Sequence, residues 1–136
     1  MQNILKLVVQ AVKDRRCIAI RYRQQKEIRV IEPHAVYTNE RDEIVVDGYQ
    51  TRGFSASGRP APFWRPYRIK KITAISVLKE NFTPRTAEGF TDGKKRYQRN
   101  LLAIVEYGGP SFTYSEEVLQ NSMGPFLPER RIRNPF

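Results

Sequence analysis

The stretch Phe63-Trp-Arg-Pro-Tyr-Arg-Ile-Lys-Lys-Ile72 decides the fold class of this 136-residue chain. It combines a strand-forming apolar pattern with arginine, lysine and aromatic side chains, and so do the segments Arg29–Pro33 and Ile44–Tyr49. Together these three segments predict a small β domain with a cationic surface and flat rings on its polar face. That surface favours a ligand carrying phosphates or bases over bond-breaking chemistry.

The segments before and around this stretch predict one helix and about five short strands. Residues 3–13 have apolar side chains at helical spacing, with Asn3 as N-cap. From Cys17 the period becomes two, with Ile18, Ile20 and Tyr22 on one face. Further strands are expected at residues 27–31 (ended by Pro33), 34–37, 43–52 and, bent or divided, 63–78, with a loop at 53–62. This order predicts a mainly β domain with an N-terminal helix, as a small, closed or nearly closed antiparallel barrel.

The composition changes after Lys79, which suggests two parts: a barrel domain at residues 1–80 and a C-terminal extension at 81–136. Residues 81–99 are polar and contain Pro84, Gly89 and Gly93, so they predict a linker or long loop. Leu101–Tyr107 is apolar enough for a strand, and Thr113 has capping-box spacing to Glu116 for a short helix through Gln120. The tail from Gly124 is basic and contains proline.

The charge balance favours a polyanionic partner. The chain has 24 Lys and Arg against 14 Asp and Glu, and residues 1–80 hold 16 of the basic and 8 of the acidic side chains. A basic excess in the strand-rich part is the footprint expected of a nucleic-acid binder. The alternative is a protein of high pI without such a partner.

Cysteine content and hydropathy predict an intracellular, cytoplasmic protein in a reducing compartment. Cys17 is the single cysteine, so no internal disulfide or cysteine-based zinc site is expected, and its place in an apolar run predicts a buried, inert thiol. No stretch approaches the roughly 20 apolar residues of a membrane helix, and the N-terminus lacks signal-peptide features.

The order of motifs resembles the WYL domain family over residues 4–80. The matching elements, in order, are the first helix, Ile18-x-Ile20-x-Tyr22, Arg29-x-x-x-Pro33, the strand ending Gly48-Tyr49, and Tyr67-Arg68-Ile69-x-x-Ile72. The triplet that names the family appears here as Ile44-Val45-Val46, and the usual preceding helix-turn-helix has no counterpart, so autonomous sequence-specific DNA binding is not expected. The resemblance implies an Sm-like, SH3-type barrel of bacterial regulators, including transcriptional regulators, that binds nucleic acid or a nucleotide-like ligand. The family's ligand face corresponds here to Tyr22, Arg29, His34, Tyr49, Arg65 and Arg68.

Two groups of residues could carry such binding. Arg21, Arg23 and Arg29 are expected on one face of neighbouring strands, where a polyanion or the side chains of Glu27 and Glu32 would neutralise them. Aromatic and basic side chains follow each other in the run that includes Trp64, Arg65, Arg68 and Lys71, and such a run suits stacking on bases and pairing with phosphates. The alternatives are a tryptophan that closes the barrel and an edge strand protected by lysines.

Catalytic and metal chemistry find little support in the sequence. His34 is the single histidine, and no nucleophile or carboxylate set accompanies it. Asp42 and Glu43 are adjacent and would diverge on a strand, so a metal centre with Asp47 is not expected. No phosphate-binding loop or dinucleotide fingerprint is present. The sequence therefore predicts no enzyme, no cofactor and no metal.

The resulting prediction is a regulatory, ligand-sensing domain that binds single-stranded DNA or RNA, or a nucleotide-like ligand, without catalysis. The expected binding residues are Tyr22, Arg29, His34, Tyr49, Trp64, Arg65, Arg68 and Lys71. A second hypothesis is a protein-interaction or homodimerisation module for an acidic partner. A third, less favoured, is a metal-independent ribonuclease that uses His34 with an arginine.

Overall fold

The computed structural model describes residues 3–106 and shows one helix followed by six strands. The elements are α1 (Ile4–Asp14), β1 (Arg16–Tyr22), β2 (Ile28–Thr38), β3 (Ile44–Gly53), β4 (Phe63–Arg68), β5 (Ile72–Asn81) and β6 (Leu101–Ile104). Single 3-10 turns occupy Ile69–Lys71 and Lys95–Gln98. The helix predicted at Thr113–Gln120 and the tail from Gly124 lie outside the described residues. No helix within residues 3–106 is both long and apolar enough to span a membrane.

The ends of α1 are fixed by local chemistry, and the cap at the N-terminal end was predicted from the sequence. The backbone N–H of Lys6 donates to the Asn3 side chain at 3.0 Å, which confirms Asn3 as N-cap. At the other end Arg15 adopts a left-handed conformation (φ 54°), and its N–H reaches the carbonyls of the preceding turn. Val8, Ala11 and Val12 form the buried stripe.

The strands form one antiparallel sheet of order β4-β3-β2-β1-β5, and β6 pairs with β2 off this path. Within the described residues β4 and β5 are linked by a 3-10 turn and not by a ladder, so the sheet curls without closing. The mainly β, antiparallel class with an N-terminal helix is confirmed. The expected faces of β1 are also confirmed, since Ile18, Ile20 and Tyr22 are buried.

Two expectations about β2 are wrong. Pro33 does not end the strand, because β2 continues to Thr38 and the two strands predicted at residues 27–31 and 34–37 are one. A register shift between Pro33 and Ala35 accommodates the proline, which lacks an N–H for the ladder. Arg29 also lies on the opposite face from Arg21, because it pairs directly with Ile20 and is buried.

Residues 82–100, here called the strap, cross the sheet between β5 and β6. The sequence predicted a polar linker over most of this range, yet Phe82, Phe90 and Tyr97 are buried. Their rings and those of His34 form close aromatic pairs. The strand expected from Leu101 is confirmed as β6. The division of the chain at residue 80 stays a prediction.

A candidate anion-binding cleft

A cleft of about 870 Å³ opens beside β4, and basic side chains dominate its wall. They come from distant parts of the chain: the turns after β1 and β2, strand β4, and the strap. The members are Arg23, Arg41, Arg65, Arg68, Lys95, Arg96 and Arg99, against the two carboxylates Glu40 and Glu43. Because the tertiary fold collects these side chains in one place, the cleft is a cationic site.

Part of this charge is neutralised within the protein. Glu43 lies 3.2 Å from Arg68 and 3.1 Å from Lys70, and hydrogen bonding to Lys70, then to Arg68, lowers the pKa of Glu43 to about 2. Arg96 pairs with Asp47 and Arg99 with Asp42, each at 2.8 Å. Among residues 3–106 no ion pair neutralises the remaining basic side chains of the cleft, which are Arg23, Arg41, Arg65 and Lys95.

A second depression of about 620 Å³ adjoins the cleft. The two share Arg23 and Arg68, and the second adds Lys70 and Lys71, with no carboxylate among the described residues of its wall. The basic surface therefore extends beyond one pocket, in the manner of a groove that follows a phosphate backbone.

Two arginines border the interior of the curled sheet beside this cleft without a carboxylate partner in the described part of the chain. Arg29 is 2% exposed, and its Nη2 donates to Gln25 Oε1 at 2.8 Å. The Nε atoms of Arg29 and of Arg65 are buried and have no hydrogen-bond partner within residues 3–106. A guanidinium group stays protonated in proteins, and a buried charge without a partner is strongly unfavourable. The charges of these two arginines therefore need another source of stabilisation.

The rings of Tyr22 and Tyr67 supply part of that compensation. The Arg29 guanidinium carbon lies 5.3 Å from the Tyr22 centroid and 5.8 Å from that of Tyr67, and Arg65 lies 5.6 Å from both. The rings are held in place by hydrogen bonds: the Arg68 backbone N–H donates to the Tyr22 hydroxyl at 2.8 Å, and the Tyr67 hydroxyl donates to Gln50. Burial raises the pKa of Tyr67, so this hydroxyl stays a donor.

His34, Tyr49 and Trp64 lie in a separate aromatic cluster under the strap. The His34 ring is fully buried, with its centroid 4.8 Å from that of Trp64, and the Tyr49 centroid is 4.9 Å from that of Trp64. Trp64 Nε1 donates to the backbone carbonyl of Glu88 at 2.8 Å. These side chains hold the strap on the sheet.

Both ring nitrogens of His34 are engaged. Nε2 accepts from the backbone N–H of Arg85 at 3.1 Å, so Nδ1 carries the proton and donates to the Glu32 carbonyl at 2.8 Å. Burial lowers the pKa of His34 from 6.5 to about 4, which keeps the ring neutral. A fully buried, neutral ring in this position has no access to a substrate.

Ion pairs that sequence reasoning missed fasten the strap. Arg85 binds the Glu32 carboxylate through two bonds of 2.8 and 3.0 Å. Asp47 accepts from Arg96 and from the hydroxyls of Tyr37 (2.9 Å) and Tyr97 (2.7 Å). The signal in the sequence was the set of three aromatic residues, Phe82, Phe90 and Tyr97, inside an otherwise polar stretch.

The structure thus divides the predicted binding residues into four groups. Tyr22, Arg65 and Arg68 line the cleft, Lys71 lines the adjoining depression, and Arg29 lies behind Tyr22. His34, Tyr49 and Trp64 line neither cavity. Within residues 3–106 no group of three or more His, Cys, Asp or Glu side chains could hold a metal ion.

Comparisons with known proteins add one partial likeness. No family model matches the chain, and no curated protein matches it. A solved structure, proteasome accessory factor B/C (PafBC) of Arthrobacter aurescens, is similar with 22% sequence identity and a TM-score of 0.49. The match covers 65% of this chain and 13% of that chain, so it spans a small part of that protein's length. Membership in the WYL domain family stays a prediction.

Proposed function

We propose that this chain is a non-catalytic, ligand-sensing domain that binds single-stranded nucleic acid along the cationic cleft. The carrying observation is the convergence of seven basic side chains on one cleft of about 870 Å³. Four of them have no ion pair within residues 3–106. Phosphate groups neutralise such a surface with release of counterions, which is the main source of affinity for nucleic acids.

The extent of the surface favours a strand over a single nucleotide. Arg23 and Arg68 belong to both cavities, so the basic track continues from the cleft towards Lys70 and Lys71. A chain of repeating phosphates can engage both cavities at once, whereas a mononucleotide fills one.

The aromatic residues of the cleft favour weak sequence preference. Tyr22 and Tyr37 line it, but they are 1% and 4% exposed, and the Tyr37 hydroxyl is held by Asp47. Rings packed in this way present little face for stacking on bases, so phosphate contacts should dominate and bind many sequences alike.

A regulatory role follows from the contribution of the strap to the cleft. Lys95, Arg96 and Arg99 belong to the strap and reach the cleft wall together with side chains of the sheet. A ligand that contacts both parts stabilises the packing of the strap on the sheet by mass action, and a linked partner can respond to that stabilisation.

The test is fluorescence anisotropy with labelled single-stranded DNA, single-stranded RNA and duplex of one sequence. The variant Arg23→Ala/Lys95→Ala removes two exposed cations of the cleft, and Arg21→Ala/Lys79→Ala removes two exposed cations elsewhere. We expect single strands to bind at low salt, with the duplex as the comparison. The cleft variant should lose about tenfold or more in affinity, since each phosphate contact carries a large electrostatic contribution, and the control should lose much less.

Absence of binding to every oligonucleotide at low salt would overturn the proposal. Equal losses in the two double variants would show attraction to net charge without a site. Either result would favour the other prediction from the sequence, which is an acidic protein partner or a homodimer. The mass in solution would then test for the homodimer, and binding to acidic polypeptides would test for the acidic partner.

A further inference from the structure

One face of the β2-β1-β5 part of the sheet departs from the pattern of a sheet surface that meets water. In such a sheet the side chains towards the core are apolar and those towards water are polar. Here Ile18, Ile20 and Ile31 are buried on the core side. The residues on the opposite side, which direct ladder pairing places on one face, are Ala19, Arg21, Ile28, Val30, Ala74 and Ser76. Four of these six residues are apolar, and we call this surface the outer sheet face.

The apolar residues of the outer sheet face are exposed and adjacent. Ile28 is 44% exposed, and Ala19, Val30 and Ala74 are partly exposed. Val30 follows Ile28 on the same face of β2 and lies directly opposite Ala19. Single exposed apolar side chains are common on protein surfaces, whereas a contiguous group of them marks an interaction site.

We infer that the outer sheet face joins two copies of this chain in a homodimer with twofold symmetry. This inference goes beyond the proposed function and does not depend on it. The wall residues described for the cleft and for the adjoining depression include none of the six residues of the outer sheet face. Both cavities can therefore bind a ligand independently of the dimer contact.

The distribution of large and small side chains matches a second copy. The large apolar residues, Ile28 and Val30, are on β2, and the small ones, Ala19 and Ala74, are on β1 and β5. A twofold axis along the strands, between β1 and β2, places β2 of one copy on β1 and β5 of the other. The branched side chains of each copy then fill the space above the alanines of the other, as interfaces with good shape complementarity require.

The charges at the border of the face are also self-complementary. Arg52 of β3 lies opposite Val30, and it forms an ion pair of 3.5 Å with Glu80 of β5. These side chains are 61% and 60% exposed, so the pair contributes little within one chain. The same twofold axis brings β3 of one copy to β5 of the other, so each Arg52 approaches a second Glu80. A border with both signs of charge suits a second copy better than a uniformly acidic partner.

The size of the face predicts a weak dimer. Strands lie about 4.8 Å apart, so the width from β3 to β5 is roughly 15 Å, and the apolar part is of similar length. Such a patch is smaller than the roughly 800 Å² per partner of a standard interface. We therefore expect monomer and dimer to exchange, with a dissociation constant on the order of 100 µM.

The test is sedimentation equilibrium of the full chain between about 10 µM and about 1 mM, a range that brackets this constant. The variant is Ile28→Glu, and its matched control is Leu101→Glu. Leu101 is 42% exposed and lies on β6, which pairs with the other end of β2, so both variants replace an exposed apolar side chain and change the net charge equally. Circular dichroism verifies folding, and Ser76→Glu, at an exposed position of the same face, decides if Ile28→Glu does not fold.

The mass of the unchanged protein should rise with concentration towards that of two chains. Because the symmetric interface contains each substitution twice, Ile28→Glu should weaken dimerisation about tenfold or more, and Leu101→Glu should leave it unchanged. A protein that stays monomeric to about 1 mM, or equal losses in the two glutamate variants, would overturn the inference. Oligonucleotide binding by Ile28→Glu, measured separately, should equal that of Leu101→Glu, so failure of the dimer and failure of the proposed function are distinguishable.

Discussion

An ion pair between Arg96 of the strap and Asp47 of β3 connects the strap to the sheet beside the cleft. Nε and Nη2 of Arg96 donate to Asp47 Oδ2 at 3.0 and 2.8 Å, and the same carboxylate accepts from Tyr37 and Tyr97. Arg96 also lines the cleft. The position of a cleft cation is therefore coupled to the packing of the strap.

Replacing Asp47 should destabilise the fold strongly. Asp47→Ala leaves two buried tyrosine hydroxyls and Arg96 without their acceptor, and we expect a loss of about 3–5 kcal/mol in the free energy of unfolding. The control is Asp42→Asn, which breaks the exposed pair with Arg99, keeps a side chain suited to the left-handed backbone at this position (φ 63°), and should cost at most about 1 kcal/mol. Urea unfolding followed by the fluorescence of the single tryptophan, Trp64, measures both. Equal losses would contradict the central role of Asp47.

Replacing Arg29, in contrast, should not lower the free energy of unfolding. Arg29→Met removes a buried charge without a carboxylate partner in the described chain, and an apolar side chain of similar length keeps the contacts with Tyr22 and Tyr67. The free energy of unfolding of the ligand-free protein should stay the same or rise by about 1–2 kcal/mol.

The control variant for the unfolding measurement on Arg29→Met is Gln50→Met. Gln50 is equally buried, but its side chain accepts from Tyr67 and donates to the Phe54 carbonyl, so its loss should cost about 1–3 kcal/mol. If Arg29→Met is the more damaging of the two, then Arg29 is a structural residue and not a ligand residue.

Salt should weaken oligonucleotide binding in proportion to the number of unpaired cations. Four cleft cations lack ion pairs within residues 3–106, so the logarithm of the association constant should fall with the logarithm of the salt concentration with a slope of about −3 for single strands. Arg23→Ala should reduce the magnitude of that slope by about 0.7, and Arg21→Ala should leave it unchanged. A slope near zero would exclude phosphate neutralisation as the source of affinity.

The protein should lose stability in mild acid because of His34. Its pKa is about 4 when folded, chiefly through burial, against 6.5 when exposed, so between these values the unfolded chain binds the additional proton. This contribution is complete above about pH 6.5 and is lost as the pH falls towards 4, for a total of roughly 3 kcal/mol. The pKa of Glu43 is lowered to about 2, so its carboxylate also stabilises the folded protein, and that contribution is lost only as the pH falls below about 4.5.

Urea unfolding at several pH values, with His34→Gln as control, measures this effect. Glutamine offers an oxygen that can accept from the Arg85 N–H but does not titrate. The groups facing the ring, Glu32, Arg85 and Asp47, are kept in the control. The variant should show a flatter pH profile between 6.5 and 4, and an unchanged profile would show that His34 is not the titrating group.

Of the glycines in residues 3–106, Gly53 should be the least tolerant of substitution, because it lies where β3 passes Arg29. It has φ +103°, and an added Cβ would lie 2.2 Å from the Ile28 carbonyl oxygen and 2.8 Å from Arg29 Cα. Gly53→Ala should cost more than about 3 kcal/mol, since the backbone must move. Gly58 (φ +77°) has open space around it, so Gly58→Ala should cost only about 1–2 kcal/mol. Thermal unfolding compares them, and similar losses would mean that β2 and β3 can separate at this point.

Local patterns predicted the features of this fold that depend on neighbouring residues. Asn3 caps α1 because its side chain meets an N–H three residues away, and alternation of Ile18, Ile20 and Tyr22 fixed the faces of β1. Strands β3 and β4 also lie where their apolar patterns predicted them. The basic excess, which favours a polyanionic ligand, is a property of composition and needs no fold to be recognised.

Which of the basic and aromatic residues lie together was decided by the tertiary structure. The pairing of Arg29 with Ile20 turned that arginine inward, and the strap covered His34 and Trp64 through contacts such as Arg85 to Glu32. The cleft unites Arg23 with Lys95, residues that no sequence period relates. Periodicity reports which face of an element is buried, whereas strand register and long-range packing determine what lies against that face, and the charges of the cleft depend on the latter.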